Sequence, residues 1–263
     1  MLFTKYTSTF ILFIVFINSI FGQDIILKNS QKAQVDHLGN TYIIEKNNFS
    51  LILNTNLKEY QNNFFGNIYS VDLSNPLRIL IYHKEANEIV FLNNELSIIG
   101  DAISLDELGL PDVAVVCASL INGFWVYNNL NNRIEFYNSN LKKIHTSINL
   151  SNQINNLDDI ENIKMFNERI YLKVKNTGIL VFDMFATFIK TIPIKNTNSF
   201  QILDKSLLYT LENKVLIYNF DSLETTVLFL GENNIDYARV YNGVLYYVEN
   251  HQFYRLKLTG ATK

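Results

Sequence analysis

The sequence predicts an all-β protein, a six-bladed β-propeller whose last blade is closed by the N-terminal strand of the mature chain. Three observations carry this prediction: a hairpin pattern that occurs six times, its recurrence at intervals of 37 or 46 residues, and two chain ends that complement each other. Intervals of this size are typical of four-stranded propeller blades. An open sandwich of unrelated hairpins is the alternative, but it gives no reason for the regular spacing.

Each copy of the repeat is a turn followed by two alternating apolar runs. The segments "INGFWVYNNL" (121–130) and "YNGVLYYVEN" (241–250) share this pattern, and "FNERIYLKVK" (166–175) has it with an altered turn. The first strands of the six hairpins are predicted to begin near Thr41, Arg78, Phe124, Ile170, Leu207 and Val244. A short apolar strand precedes each hairpin and a further extended segment follows most of them, so each blade has an inner strand, a hairpin and an outer strand.

The two ends of the mature chain complete one blade between them. The sixth copy stops at "FYRLKLTGATK" after three strands, whereas "QDIILKN" (23–29) is a spare strand ahead of the first inner strand. We expect residues 24–28 to pair beside residues 253–258, with Ile25, Ile26 and Leu27 covering the last strand. This pairing removes a long unpaired edge, which would otherwise invite aggregation.

The first 22 residues are predicted to be a secretory signal peptide, and residues 23–263 a single propeller domain. Lys5 precedes an apolar run over 10–21, and the small residue Gly22 comes just before polar Gln23. An uncleaved anchor is the alternative, but this run is shorter than the roughly 20 residues that span a bilayer. The mature chain is therefore expected to have no transmembrane segment and to be exported, to the periplasm or the periplasmic face of the outer membrane.

Composition narrows the set of partners. An apolar fraction of 48% with 18% charged residues describes a globular chain with a large core. The net charge is −3, or −4 once Lys5 is removed with the signal, and the lysines are scattered, so we expect no nucleic-acid partner. Cys117 is the only cysteine, which excludes an intramolecular disulfide, and its apolar neighbours predict a buried, inert thiol.

Two segments resemble a known family of repeats. Residues 33–52 and 122–138 are similar to NHL-type repeats, with a Val-Asp pair or an Asn-Gly turn followed by a Tyr-containing strand. "TGILVFDMFATFIKTIPI" (177–194) resembles the third and fourth strands of exported bacterial, TolB-like six-bladed propellers, including their aspartate turn, with Ala186 in place of the usual glycine. The resemblance implies a six-bladed fold whose members include protein-interaction platforms, sugar- or lactone-processing enzymes and RNA binders.

The sequence contains weak candidates for a catalytic site and no recognisable cofactor or metal motif. Channel-facing candidates on or just after the inner strands are Asp36, His37, Asp72, Asp204, Asp236 and Arg239. An aspartate just before a tight turn usually caps that turn, which explains Asp36, Asp72 and Asp204 without catalysis. We therefore expect a non-catalytic scaffold or subunit of an envelope complex, with an envelope or outer-membrane protein as partner. The alternative is a hydrolase or lyase that acts on a sugar, lactone or peptide in the central channel.

Two connections between blades stand out. The acidic stretch "SLDELGLPDV" (104–113) has enough carboxylates for a Ca²⁺ site, but it lacks the spacing of a calcium loop and is interpreted as a solvated connection. "NLSNQINNLDDIEN" (149–162) is the longest polar connection and is predicted to be an exposed loop that could hold a partner.

Overall fold

The computed structural model describes residues 23–27, 32–53, 56–154, 156 and 159–258, with the backbone alone for 23–27. The predicted signal peptide, 1–22, lies outside these ranges. Within them the chain forms strands and turns, and no helix is both long and apolar enough to cross a membrane.

The strands are arranged as six four-stranded antiparallel sheets. The first strand in the chain is β1, Gln23–Leu27. Blade 1 contains β2 Ala33–Val35, β3 Thr41–Glu45, β4 Asn48–Leu53 and β5 Asn56–Gln61. Blade 2 contains β6 Ser70–Asp72, β7 Ile79–His83, β8 Glu88–Leu92 and β9 Ile103–Ser104. Blade 3 contains β10 Val113–Ala118, β11 Gly123–Asn128, β12 Arg133–Asn138 and β13 Lys143–Thr146.

The second half of the chain repeats this plan. Blade 4 contains β14 Ile160–Phe166, β15 Arg169–Val174, β16 Gly178–Asp183 and β17 Phe188–Ile192. Blade 5 contains β18 Phe200–Ile202, β19 Ser206–Leu211, β20 Lys214–Asn219 and β21 Thr225–Leu230. Blade 6 contains β22 Ile235–Tyr241, β23 Val244–Glu249 and β24 Gln252–Lys257, with β1 beside β24. The predicted all-β, six-bladed propeller is confirmed, and the second strand of every blade begins within one residue of its predicted position.

The core of the molecule lies between neighbouring blades. Alternate side chains of each blade point to the blade before and the blade after it, so six apolar clusters follow one another around the ring. The cluster between blades 3 and 4 has eighteen buried residues, including Trp125 and Phe182. The cluster between blades 6 and 1 has five, including Val35 and Phe253. Apolar clusters therefore lie between all pairs of neighbouring blades in the described part of the chain.

Asparagine and aspartate shape the turns, as their abundance predicts. In four blades an Asx residue at the end of the third strand accepts backbone N–H bonds from the turn that follows; these residues are Asn93, Asn138, Asp183 and Asn219. In each case a residue three or four positions further on has a positive φ; these residues are Leu96, Leu141, Ala186 and Leu223. The side-chain cap thus holds an ordinary residue in a conformation that glycine usually adopts.

The N-terminal strand lies antiparallel to β24. Gln23 is opposite Leu256, Asp24 is opposite Arg255 and Ile25 is opposite Tyr254. The side chains of Ile25, Ile26 and Leu27, which are predicted to cover β24, lie outside the described part of the chain. The contribution of this strand to ring closure stays a prediction, and its deletion is the test.

Candidate functional site

Six inner strands surround the propeller axis and place one residue of each blade at a matching register. Each of these residues lies opposite the second or third residue of the next strand in its blade. We call the set the channel ring: Gln34, Asp72, Cys117, Lys164, Gln201 and Arg239. Every blade contributes one member, and the ring as a whole combines two cationic side chains with one carboxylate.

Several side chains of the channel ring join one inner strand to the next. Asp72 accepts N–H bonds from Ser74 in its own turn and from Ala118 of blade 3, both at 2.8 Å. Gln201 makes two bonds to the backbone of Val240 in blade 6, at 2.8 and 3.0 Å. These bonds satisfy backbone groups along the channel, so part of the ring is structural.

Lys164 is the charged member of the ring whose pKa is most clearly shifted. Its Nζ donates to the carbonyl oxygen of Phe200, at 2.6 Å, and lies 4.7 Å from the centre of the Phe200 ring. Burial, followed by the nearby Arg239 guanidinium, lowers the pKa of the Lys164 ammonium to about 7, although Asp72 opposes the shift. Sequence reasoning missed Lys164, because "ENIKMF" contains no local motif and the groups that perturb the lysine lie on other blades.

The predicted candidates lie in different places. Asp36 is buried and caps its own turn: one oxygen accepts from the Leu38 and Asn40 N–H groups, and the other accepts from the Asn40 amide and the Tyr42 hydroxyl. His37 and Asp204 are exposed in turns. Asp36 is thus held by local turn chemistry, as its position before the turn suggests.

The other three candidates lie on inner strands. Asp236 is exposed near the start of β22 and accepts a bond from the Asn234 amide at 2.9 Å. Asp72 and Arg239 belong to the channel ring, and the Nε of Arg239 is buried without a hydrogen-bond partner. The structure thus brings two of the six candidates together, beside the unforeseen Lys164.

Two further titratable groups, Cys117 in the channel ring and His83 at the end of β7, are buried. Cys117 is buried, and burial raises the pKa of its thiol well above the usual value, as expected for an inert cysteine. His83 is buried in blade 2 between the Tyr60 hydroxyl and the Gly66 carbonyl. In the part of the chain that the structure describes, no group of three or more His, Cys, Asp or Glu residues is placed to hold a metal ion.

A cavity of about 420 Å³ opens at the end of the channel where the inner strands begin. Residues of blades 2, 4, 5 and 6 line it, among them Asn162 and Asp236. At its wall Lys173 forms a salt bridge with Glu161 at 2.8 Å and donates to the Asn198 carbonyl at 3.0 Å. Asn162 and Asp236 place this cavity on the same strands as Lys164 and Arg239.

The opposite face carries the turns that join the first and second strands of the blades. In blades 1 to 3 these turns expose apolar side chains, which we call the apolar arc: Leu38, Leu77, Leu120 and Ile121, each 57–67% exposed. In blades 4 to 6 the corresponding turns are polar, with Asn167–Glu168, Asp204–Lys205 and Asn242–Gly243. One half of this channel mouth is therefore apolar and the other half polar.

The two long connections are tied down more firmly than the sequence suggests. The predicted exposed loop 149–162 has Leu150 and Ile154 buried in the cluster between blades 3 and 4. In 104–113, Leu105 and Leu110 are buried, and Asp106 and Asp112 accept bonds from asparagine amides of the neighbouring hairpins. Apolar side chains thus anchor both connections. The prediction that 149–162 is an exposed loop is wrong at Leu150 and Ile154, and also at Ile160, which is buried in the same cluster at the start of β14.

The fold and the channel define the protein as a six-bladed β-propeller. Comparison with solved structures agrees: a streptogramin B lyase structure superposes with a TM-score of 0.61 at 13% identity, covering 85% of this chain and 77% of that one. The Pan2 WD40 domain of Neurospora crassa gives a TM-score of 0.60 at 8% identity, covering 88% and 90%. No family model and no curated protein matches the chain, so the NHL-like, TolB-like resemblance stays a prediction.

The lowered pKa of Lys164 predicts a pH-dependent stability. Between about pH 7 and 10.5 the unfolded chain binds more protons at this lysine than the folded chain, so the lysine's contribution to stability rises with pH. Relative to Lys164→Met, the wild-type protein should gain about 1 to 2 kcal/mol in unfolding free energy from pH 7 to pH 9. Urea unfolding at pH 7 and at pH 9 measures this gain in unfolding free energy. Lys205→Met, which removes an exposed lysine, is the control for loss of charge. An equal pH slope in both variants would contradict the prediction.

Proposed function

We propose that the protein is a non-catalytic propeller of the cell envelope that binds another protein through the apolar arc. The observation that carries the proposal is the grouping of Leu38, Leu77, Leu120 and Ile121 on three consecutive blades, next to the channel mouth. Single exposed apolar residues are normal on a protein surface, but their occurrence at the equivalent turn of three neighbouring blades favours an interaction site.

Rigid turns support the arc. The Leu38 N–H donates to Asp36, the Leu77 N–H to Asn75, and the Ile121 N–H to Ser119. Blades 2 and 3 are joined directly below it by the bond from Ala118 to Asp72. Because these turns are held before any partner arrives, binding loses little conformational entropy. We infer a partner with an exposed apolar patch of its own, because the side chains that the arc exposes are leucine and isoleucine.

The site of action follows from the sequence pattern. The signal peptide proposed for residues 1–22 would export the chain, so the partner would be an envelope protein or a protein at the periplasmic face of the outer membrane. The alternative, a hydrolase or lyase of the channel, would place the functional residues at the channel ring instead of the arc. The scaffold proposal therefore predicts loss of function on mutation of the apolar arc, and the enzyme proposal predicts it on mutation of the channel ring.

An affinity purification from the protein's own cells tests the scaffold. Leu77→Asp and Ile121→Asp should abolish recovery of a specific partner, because each places a charge in an apolar interface. Leu223→Asp is the matched control: Leu223 is 64% exposed on the same face, but in blade 5. The same mass spectra identify the first residue of the recovered protein, which should be Gln23 if the signal peptide is cleaved. A partner that is lost equally from the control, or no partner in any sample, would refute the docking role of the arc.

A further inference from the structure

The channel ring carries more positive charge than its structural bonds require. Lys164 has three N–H donors, and its bond to the Phe200 carbonyl uses one of them. Arg239 has its Nε buried without a partner. Asp72 is the carboxylate of the ring, and its two oxygens already accept from the backbone of Ser74 and Ala118. The two cations and one anion leave a net positive charge in an otherwise acidic protein.

The two cations belong to one electrostatic group. Lys164 interacts with the charges of Arg239, Asp72 and Lys173, and of these only the Asp72 carboxylate favours its charged form. Lys173 is itself occupied by Glu161 and by the Asn198 carbonyl. The Arg239 side chain already interacts with the Tyr237 hydroxyl. An anion placed between Lys164 and Arg239 would relieve the repulsion between the two cations and would give the buried Nε of Arg239 an acceptor.

A solvent-filled cavity opens on the two strands that carry the cations. The cavity of about 420 Å³ is lined by Asn162 and Asp236, which precede Lys164 and Arg239 on the same strands by two and three residues. At about 3.3 Å per residue, the cations therefore lie roughly 7–10 Å further into the channel. Both side chains keep a partly accessible surface. A ligand that enters the channel must be small, because the inner strands surround the channel.

We propose that the channel ring is a binding site for an oxyanion group, a carboxylate, sulfate or phosphate carried by a small ligand, held between Lys164 and Arg239. The arginine presents a fork of N–H groups that matches two oxygens, and the lysine supplies a point charge beside it. The inference is independent of the docking role of the apolar arc, because it concerns other residues inside the channel.

Titration calorimetry of the mature protein with sulfate at pH 6 tests the site, with succinate as the carboxylate probe. We expect saturable binding of at least one probe, weakened at least tenfold by Lys164→Gln and by Arg239→Gln. Lys205→Gln, which removes one exposed positive charge elsewhere, should bind as the wild type does. Lys164→Arg keeps the charge and should retain most of the affinity.

The pH dependence adds a readout that does not depend on whether a variant folds. Sulfate keeps its charge across the range, so its affinity for the wild type should fall between pH 6 and pH 9 as Lys164 loses its proton. Preference for sulfate or succinate identifies the kind of oxyanion. The absence of saturable binding of both probes to the wild type, or equal binding by the two ring variants and the Lys205→Gln control, would overturn the proposal.

Discussion

Deletion of residues 24–29 from the mature protein is expected to lower its unfolding free energy by several kcal/mol. The deletion removes the partner of β24 and leaves the backbone of Gln252–Lys257 as an unpaired edge. It also removes the strand through which the chain passes from blade 6 to blade 1. A loss of this size is comparable with the whole stability of an ordinary domain, about 5–15 kcal/mol.

Thermal unfolding and size-exclusion chromatography of the truncated and full mature proteins measure this effect. The matched control is a deletion of residues 259–263. These residues follow the last strand, so the deletion leaves every described strand intact. We expect a lower midpoint and association at higher concentration for the N-terminal truncation only. An unchanged midpoint with a monomeric truncated protein would show that β1 has no role in closure.

Gly178→Ala is expected to destabilise the protein by about 2 to 5 kcal/mol, through backbone strain and overpacking. Gly178 has a φ of 125°, and a Cβ built there would overlap the carbonyl oxygen of Ile192 on the neighbouring outer strand. Because the obstacle is backbone, the blade must shift to accept the methyl group.

Gly100→Ala is the matched control for Gly178→Ala. Gly100 also has a positive φ, 71°, but no atom lies within 4 Å of the position that the alanine methyl group would take. Its substitution should cost about 1 kcal/mol, from backbone conformation alone. Urea unfolding of both variants separates conformational strain from collision, and equal losses would contradict the steric explanation.

The blade plan could be predicted from sequence because it depends on local order. Alternating apolar runs and Asn-rich turns place the second strands at Thr41 and Val244, and the structure has them there. The turn at Asp183, with Ala186 in place of the usual glycine, follows from the resemblance to TolB-like propellers, and the structure has it. The equivalent left-handed positions Leu96 and Leu141 were not foreseen, because leucine gives no sign of a positive φ unless the capping role of the preceding asparagine is known.

The channel could not be predicted in the same way. Lys164, Arg239 and Asp72 lie on three different blades, and only closure of the ring brings their charges together. A lysine in an inner strand has the same local pattern whether it faces solvent or a second cation. The apolar arc is likewise a property of three turns that are distant in sequence. Local patterns therefore predict the blades, whereas the functional surfaces depend on their arrangement around the axis.

Site-specific photocrosslinking in intact cells tests the scaffold proposal most directly. A photoreactive amino acid at position 77 or 121 should crosslink to one and the same envelope protein, whereas the same probe at position 223, equally exposed in blade 5, should not. Crosslinks from 77 and 121 to a common partner are the result we predict. Crosslinks from all three positions to the same set of proteins, or from none of them, would contradict a docking surface at the apolar arc.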